Sequence, residues 1–308
     1  MGNGGKKLSY TSVIVTFNRK DLLKKAINSV LTQTYAPTYV IVVDNHSTDG
    51  TDELMTTFAS RKEIVYVRTS ENVGGSMGFY LGLKRAYDLG TDWVSLSDDD
   101  AIFETHYFEK LLVASKQKPE VKCFTGTVRF PNETIQDVHR RKLLNTATLR
   151  EEPIDQSRYA KNFWLDSFTF VGVLLAHDLI KTIGFPEKNY FIWYDDTEYS
   201  LRVAKQTRIL NISDATVYHY NNVNVGQRFS PDWKEYYGIR NRIQMEKKHS
   251  SNRAWLIPSN CAFILRRLCG MILKKDHWKY SKYLFNQLKD GYRDGIKGVT
   301  GKNRKYLP

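Results

Sequence analysis

The feature that most constrains this chain is a regular alternation, over its first hundred residues, of short β-branched runs with segments of helical spacing. Residues 11–17 (TSVIVTF) are followed by Leu22, Leu23, Ala26, Ile27, Val30 and Leu31, which fall on one helical face. Residues 39–43 (YVIVV) end at Asp44, and a Ser/Thr/Asp/Gly turn leads into a predicted helix from about Thr51 to Ala59. A third run, 64–68 (IVYVR), precedes Gly74-Gly75 and the helical set Met77, Leu81, Leu83 and Ala86. A fourth, 93–97 (WVSLS), runs into Asp98-Asp99-Asp100. Strand-helix-strand repeats of this kind build right-handed βαβ units on a parallel sheet. Ligands of such sheets collect beyond the carboxyl ends of the strands. Asn18, Asp44 and Asp98 each stand just past a strand and are therefore expected to face one crevice.

The rest of the chain is less regular. A strand is predicted at 122–128, an irregular polar stretch at 131–160, a strand edge entering a short helix at 172–184, and a helix at 195–206. Two short strands are expected near 208–212 and 215–220, and aromatic, basic helical segments follow Asp232. No internal repeat is visible. This divides the chain into a leader (1–9), an α/β body (10–230, with halves at 10–130 and 131–230) and a basic aromatic region (231–308).

Charge follows the same division. The net charge is +13, yet residues 231–308 hold 18 Lys+Arg against 6 Asp+Glu, while residues 1–230 hold 28 against 27. Cys123, Cys261 and Cys269 have no metal or redox spacing, and no secretory signal is apparent, so the chain reads as cytoplasmic with reduced thiols. The apolar stretch Ala254–Leu273 is interrupted by Pro258 and Arg266-Arg267, so no membrane span is expected.

Two clusters carry chemistry. Asp98-Asp99-Asp100 groups three mutually repelling carboxylates, which a hard divalent cation, Mg²⁺ or Mn²⁺, would neutralise and bridge to phosphate oxygens; a solvated acidic turn is the plainer alternative. The stretch W-Y-D-D-T-E-Y-S-L-R (193–202) opens a helix with Asp195, Asp196 and Glu198. Acids suit the positive end of a helix dipole, and they also suit proton abstraction. His219 follows in V-Y-H-Y.

The blocks TFNRKDLLKKAINSVLTQTY, VIVVDNHSTDGT and SLSDDD together resemble the nucleotide-binding half of the inverting glycosyltransferase family 2. The resemblance implies a GT-A fold, a Rossmann-like mixed sheet flanked by helices, here with a basic C-terminal helical appendage. It also implies a nucleotide-diphospho-sugar donor. Thr16, Phe17, Asn18 and Arg19 would border the nucleotide, Asp44 would face the base, and Asn72, Gly74 and Gly75 would form a loop below it. Asp98 and Asp99 would meet the donor, Asp98 at the ribose, with Asp98, Asp100 and His219 at the metal. Asp196 would be the base and Asp195 would orient the acceptor, against which Trp164, Asp166, Trp193 and Glu198 are expected. The block at 193–202 and the following His resemble galactofuranosyltransferases, although those tend to carry paired tryptophans where Trp164 here follows Phe163. Bacterial rhamnosyltransferases share the layout. UDP-galactofuranose is the favoured donor and dTDP-rhamnose the alternative. Arg240 and Asn241 resemble a segment that folds back over the donor phosphates.

The expected acceptor is a hydroxyl of a polysaccharide or lipid-linked glycan. A nucleic-acid-binding reading of the basic tail lacks a motif to support it. The tail's Arg266-Arg267, Lys274-Lys275, Lys302, Arg304 and Lys305 stand beside Trp255, Phe263, Leu265, Ile272, Trp278, Tyr283 and Phe285, which suits peripheral contact with the inner face of an anionic membrane. A capping or oligomerising helix pair is the plainer reading, and homo-oligomerisation is left open.

Overall fold

A computed structural model describes residues 7–220 and 229–307; most of the expected leader lies outside them. The alternation of the first hundred residues is realised as β1 (Tyr10–Thr16), α1 (Lys20–Leu31), β2 (Tyr39–Asp44), α2 (Thr51–Thr56), β3 (Ile64–Arg68), α3 (Gly75–Leu89) and β4 (Trp93–Asp98). β1 is buried along its whole length, as a central parallel strand must be. α1 buries Leu23, Ala26, Ile27 and Val30, one stripe at helical spacing. α3 lies close on β1 because Gly82 has no side chain; a Cβ there would stand 2.3 Å from Val13.

After a tight turn come β5 (Ala101–Phe103), α4 (Tyr107–Gln117) and β6 (Cys123–Arg129). The stretch expected to be irregular instead forms a hairpin, β7 (Arg140–Asn145) with β8 (Arg150–Pro153), joined by β10 (Ser167–Phe168) into a separate three-stranded sheet. Between them lies β9 (Phe163–Leu165), which pairs with the main sheet. Arg140, fully buried, ties the small sheet to the large one by donating to the carbonyls of Gly126 and Val171 at 3.0 and 2.7 Å.

The chain continues through β11 (Val171–Ala176), α5 (His177–Ile183), α6 (Asp195–Ala204) and β12 (Ile209–His219). The main sheet runs β3-β2-β1-β4-β11-β6-β12-β5, with β9 also on β12. β11 is interior rather than an edge, antiparallel to both β4 and β6, which makes the sheet mixed. The two short strands expected at 208–220 are one strand, whose register shifts between Ile212 and Thr216 where it follows β6.

The C-terminal region comprises α7 (Lys234–His249), α8 (Leu256–Leu273), α9 (Lys275–Trp278) and α10 (Ser281–Lys297). Pro258 does not interrupt α8, because a proline in a first helical turn removes no needed N–H. α8 is thus long and apolar enough to cross a membrane by length and composition. Nor is this region a detachable appendage. α10 packs on α7, Tyr306 stacks on Tyr236 with ring centres 4.5 Å apart, and Phe191 joins the same buried cluster. Lys302 and Lys305, expected among the tail's membrane-facing cations, pair with Glu71 and Asp290.

Candidate active site

Pairing of β1 with β2 and β4 sets Thr16 opposite Asp44 and Val15 opposite Asp98, so three strand ends open on one side of the sheet. Here a cleft of about 310 Å³ is lined by Thr16, Phe17, Arg19, Asn45, Asn72, Gly74, Gly75, Asp98 and Asp99, and is closed by Phe191, Ile192, Trp233 and Lys234. The amino end of α3 lies in its wall, a position suited to an anionic group.

The aspartate turn is held from two sides. Thr16 Oγ1 donates to Asp99 Oδ2 at 2.7 Å. Arg19 Nη1 reaches Asp99 Oδ1 at 3.3 Å and Asp100 Oδ2 at 2.6 Å. β12 pairs antiparallel with β5, placing His219 opposite Ala101, and His219 Nε2 stands 3.2 Å from Asp100 Oδ1. Burial and the neighbouring carboxylates push Asp98 well above the ordinary carboxylate range, and burial raises Asp99 to about 6 although Arg19 opposes it. Burial acts on Asp100 too, yet His219 and Arg19 hold it below that range.

Among the described residues no three acid, His or Cys side chains converge closely enough to hold an ion alone. The donor set nevertheless fits a divalent cation that shares its shell with a diphosphate. Asp100 Oδ1 is buried without a hydrogen-bond partner beside His219 Nε2, and two ligands of one such ion stand about 3 Å apart. Oxygens of a bound donor and water would supply the remaining positions.

The other wall depends on strained backbone. Phe191, Trp193 and Tyr194 have φ of 68°, 65° and 70°, left-handed values that cost non-glycine residues about 1–3 kcal/mol each. Their neighbours compensate. Asn241 Nδ2 lies 3.0, 2.9 and 2.9 Å from the carbonyl oxygens of Tyr190, Ile192 and Trp193. Arg240 Nη2 donates to Tyr190 O at 2.9 Å, and Ser76 N–H to Phe191 O at 3.2 Å. Gly74, at φ 84°, allows the approach, since a Cβ there would fall 2.1 Å from Phe191 O.

This loop delivers Asp195 and Asp196 to the start of α6. Asp195 is buried, and desolvation and the adjacent Asp196 push it up to about 8. Asp196 is half-buried, its Oδ1 fixed by the Thr197 N–H at 2.6 Å. Burial raises it and Arg141 opposes the rise. A groove lined by Arg141, Glu151, Tyr194, Arg242 and Glu246 runs between the β7–β8 hairpin and α7.

Residues 11–174, which carry all of the donor-side wall except the closing segments, match the family model for Glycosyl transferase family 2. The chain belongs to glycosyl transferase family 2. Its similarity to galactofuranosyltransferase GlfT1 of Mycolicibacterium smegmatis is 28% identity over 198 residues, 63% of this chain and 65% of the relative, so the match spans just under two thirds of that protein. The fold is GT-A. It superposes on the crystal structure of GalNAc-T7 with UDP, GalNAc and Mn²⁺ at a TM-score of 0.64, with 11% identity, covering 95% of this chain and 56% of that one. For the S. aureus TarS 1–349 complex with UDP the TM-score is 0.58, with 14% identity and coverage of 94% and 91%.

Against this family 2 frame, several expected contacts are displaced. Asp44 is fully buried, its oxygens accepting from the Ser47 N–H at 2.8 Å and the Tyr66 hydroxyl at 2.7 Å; Asn45 takes its place in the cleft wall. Asn18 faces the neighbouring loop, where its Oδ1 accepts from the Thr48 N–H. Trp164 pairs with Leu210 near the start of β12, about 30 Å along the strand from His219, and the Arg208 guanidinium stacks 3.6 Å over its ring, so it cannot be an acceptor platform. Asp166 spends Oδ2 on the Leu143 N–H, bracing the small sheet. Arg240 and Asn241 grip the 190–193 carbonyls instead of covering phosphates. Trp193 is exposed and packs beside Gly238.

Glu198 is also no acceptor contact. It is fully buried, bound by Arg202 at 2.8 Å and by Lys248 and His249, each at 2.8 Å. Burial alone would raise it, but these partners hold it at about 2. Glu198→Ala would leave the largely buried Arg202 guanidinium and the buried His249 ring without their acceptor and is expected to cost about 3–5 kcal/mol, read by chemical denaturation. Because the folded value is depressed, this stabilisation is complete above the unfolded value of about 4.3 and is lost as pH falls towards 2.

The residues that sequence reasoning missed are Asn45, Phe191, Ile192, Trp233 and Lys234 in the cleft and Arg141 beside Asp196. Only Asn45 had a local signal, its place directly after a buried strand.

Proposed function

We propose that this chain is an inverting, metal-dependent glycosyltransferase that moves galactofuranose from UDP-galactofuranose to a hydroxyl of a polysaccharide or lipid-linked glycan. The observation that carries the reading is the aspartate turn after β4, paired through Asp100 with His219 and opening through Asp98 and Asp99 on a cleft whose far wall, Phe191 and Ile192, belongs to the loop that leads into Asp195 and Asp196. The likeness to a relative named galactofuranosyltransferase supports the sugar.

Asp100 and His219 would hold the cation, and Asp98 stands in the cleft for the donor ribose. A divalent ion there would neutralise the diphosphate and its departing charge. Arg19, which spans Asp99 and Asp100, balances the turn. Asp195, whose proton is held more tightly because burial and Asp196 raise it, would orient the acceptor by a hydrogen bond, and Asp196 would take the proton of the acceptor hydroxyl. That oxygen bonds to the anomeric carbon as the bond to the UDP oxygen breaks, inverting the centre.

The test is hydrolysis and transfer with UDP-galactofuranose, dTDP-rhamnose and common UDP-hexoses, with and without Mn²⁺. UDP-galactofuranose is expected to be the preferred donor, and EDTA to bring turnover to background with recovery on Mn²⁺ addition. Preferred use of dTDP-rhamnose would overturn the donor, and EDTA-resistant turnover would overturn the metal.

A further inference from the structure

α8 divides into two faces of different character. On one, Phe263, Ile264, Leu268 and Met271 pack with Ile239, Ile243, Leu288 and Tyr292. Arg267 pairs with Glu235 at 2.8 Å, and the Arg242 guanidinium sits 4.0 Å over the Phe263 ring. On the other face, Ile257 (73% exposed), Cys261, Leu265 (61%), Cys269 and Ile272 (68%) follow at helical spacing, with Leu273 alongside. Trp255 and Trp278, both largely exposed, stand just beyond its two ends. A continuous apolar stripe of this length is far from an ordinary soluble surface.

The surrounding charge identifies what covers it. From Arg253 to Lys289 the chain holds eight Lys and Arg and a single acid, Asp276. Arg253, Arg266, Lys274, Lys275, Lys279 and Lys282 are exposed. Two copies meeting through this face would bring like charges together. We propose that the exposed face of α8, with Trp255 and Trp278, docks on an anionic phospholipid bilayer, the helix lying in the plane of the interface. Apolar side chains enter the acyl boundary, the indoles sit at the headgroups and the cations meet lipid phosphates. α8 does not cross the bilayer. Crossing would draw Arg266 and Arg267 into hydrocarbon and strip the inner face from α7 and α10. A groove lined by Tyr194, Arg242, Ser259, Ala262 and Arg266 opens along the same helix, so docking brings it to the membrane surface. The docking itself does not depend on the identity of the sugar donor.

The test is flotation of the full chain with vesicles of phosphatidylcholine alone and of phosphatidylcholine mixed equally with phosphatidylglycerol. Binding is expected on the anionic vesicles, weakened by salt and at least about tenfold lower on neutral ones. The triple variant Ile257→Ser, Leu265→Ser, Ile272→Ser is expected to lose that binding while keeping its Tm, because all three side chains face away from the core. Absence of binding to anionic vesicles would overturn the proposal. So would unchanged binding of the triple variant, resistance of bound protein to alkaline carbonate extraction, as a span would show, or a dimer in solution that the same substitutions dissociate without any vesicle binding.

Discussion

Asp196→Asn is expected to lower transfer by about 10²–10⁴-fold, the contribution of a positioned general base, with donor affinity unchanged in a UDP-sugar titration. The amide oxygen can still accept from the Thr197 N–H that fixes the carboxylate, so the geometry survives and only the proton acceptor is lost. Asp195→Asn should be milder. Burial and Asp196 raise its carboxyl and so favour the protonated form, and an amide imitates that neutral donor. The pH profile carries the same assignment. Burial raises Asp196, so activity should fail, as pH drops, above the ordinary aspartate value of about 3.9. Arg141 opposes that rise, and Arg141→Gln should move the acid limb to higher pH. An active Asp196→Asn beside an inactive Asp195→Asn would exchange the two roles.

Asn241→Ala is expected to be nearly as damaging, although the Asn241 side chain does not itself line the cleft. Its amide serves three carbonyls of a segment with three left-handed non-glycine residues, and leaving a buried carbonyl unpaired costs about 1–3 kcal/mol. The expected result is a stability loss of about 3 kcal/mol and a fall in kcat well beyond any change in donor KM, because the loop delivers Asp195 and Asp196. Asn241→Asp should resemble Asn241→Ala, since a carboxylate cannot donate. Thermal melts and a kcat against KM comparison of both variants decide it; wild-type kcat in either would show that the acid pair is positioned without the clamp.

Signals that are local in the chain are legible in its residues alone. The apolar run at 64–68 predicts a strand, and β3 occupies Ile64–Arg68; the spacing from 195 predicts a helix, and α6 begins at Asp195. Both follow from side-chain period and from turn residues at the boundaries. The hairpin at 140–153 is not legible in this way, because its charged residues lack clean alternation and its order comes from Arg140 entering the main sheet. Glu198 and Asp196 occupy the same helical turn. Nothing nearby in sequence shows that Lys248 and His249 of α7 consume the one while Arg141 faces the other.

The α/β alternation, the acidic turn at the end of β4 and the acid pair at the start of a helix are all written in the chain itself. Each depends on spacing within one element, which needs no distant partner. The meeting of His219 with Asp100 arises instead from the pairing of β12 with β5, and packing turns Asp44 inward while Asn45 faces the cleft. Packing likewise leaves Trp164 at the far end of the sheet and sets Arg240 and Asn241 to brace a strained loop. These outcomes depend on which distant strand or helix supplies the partner for each buried polar group. A side chain's type states that it needs a partner, and the fold chooses which one.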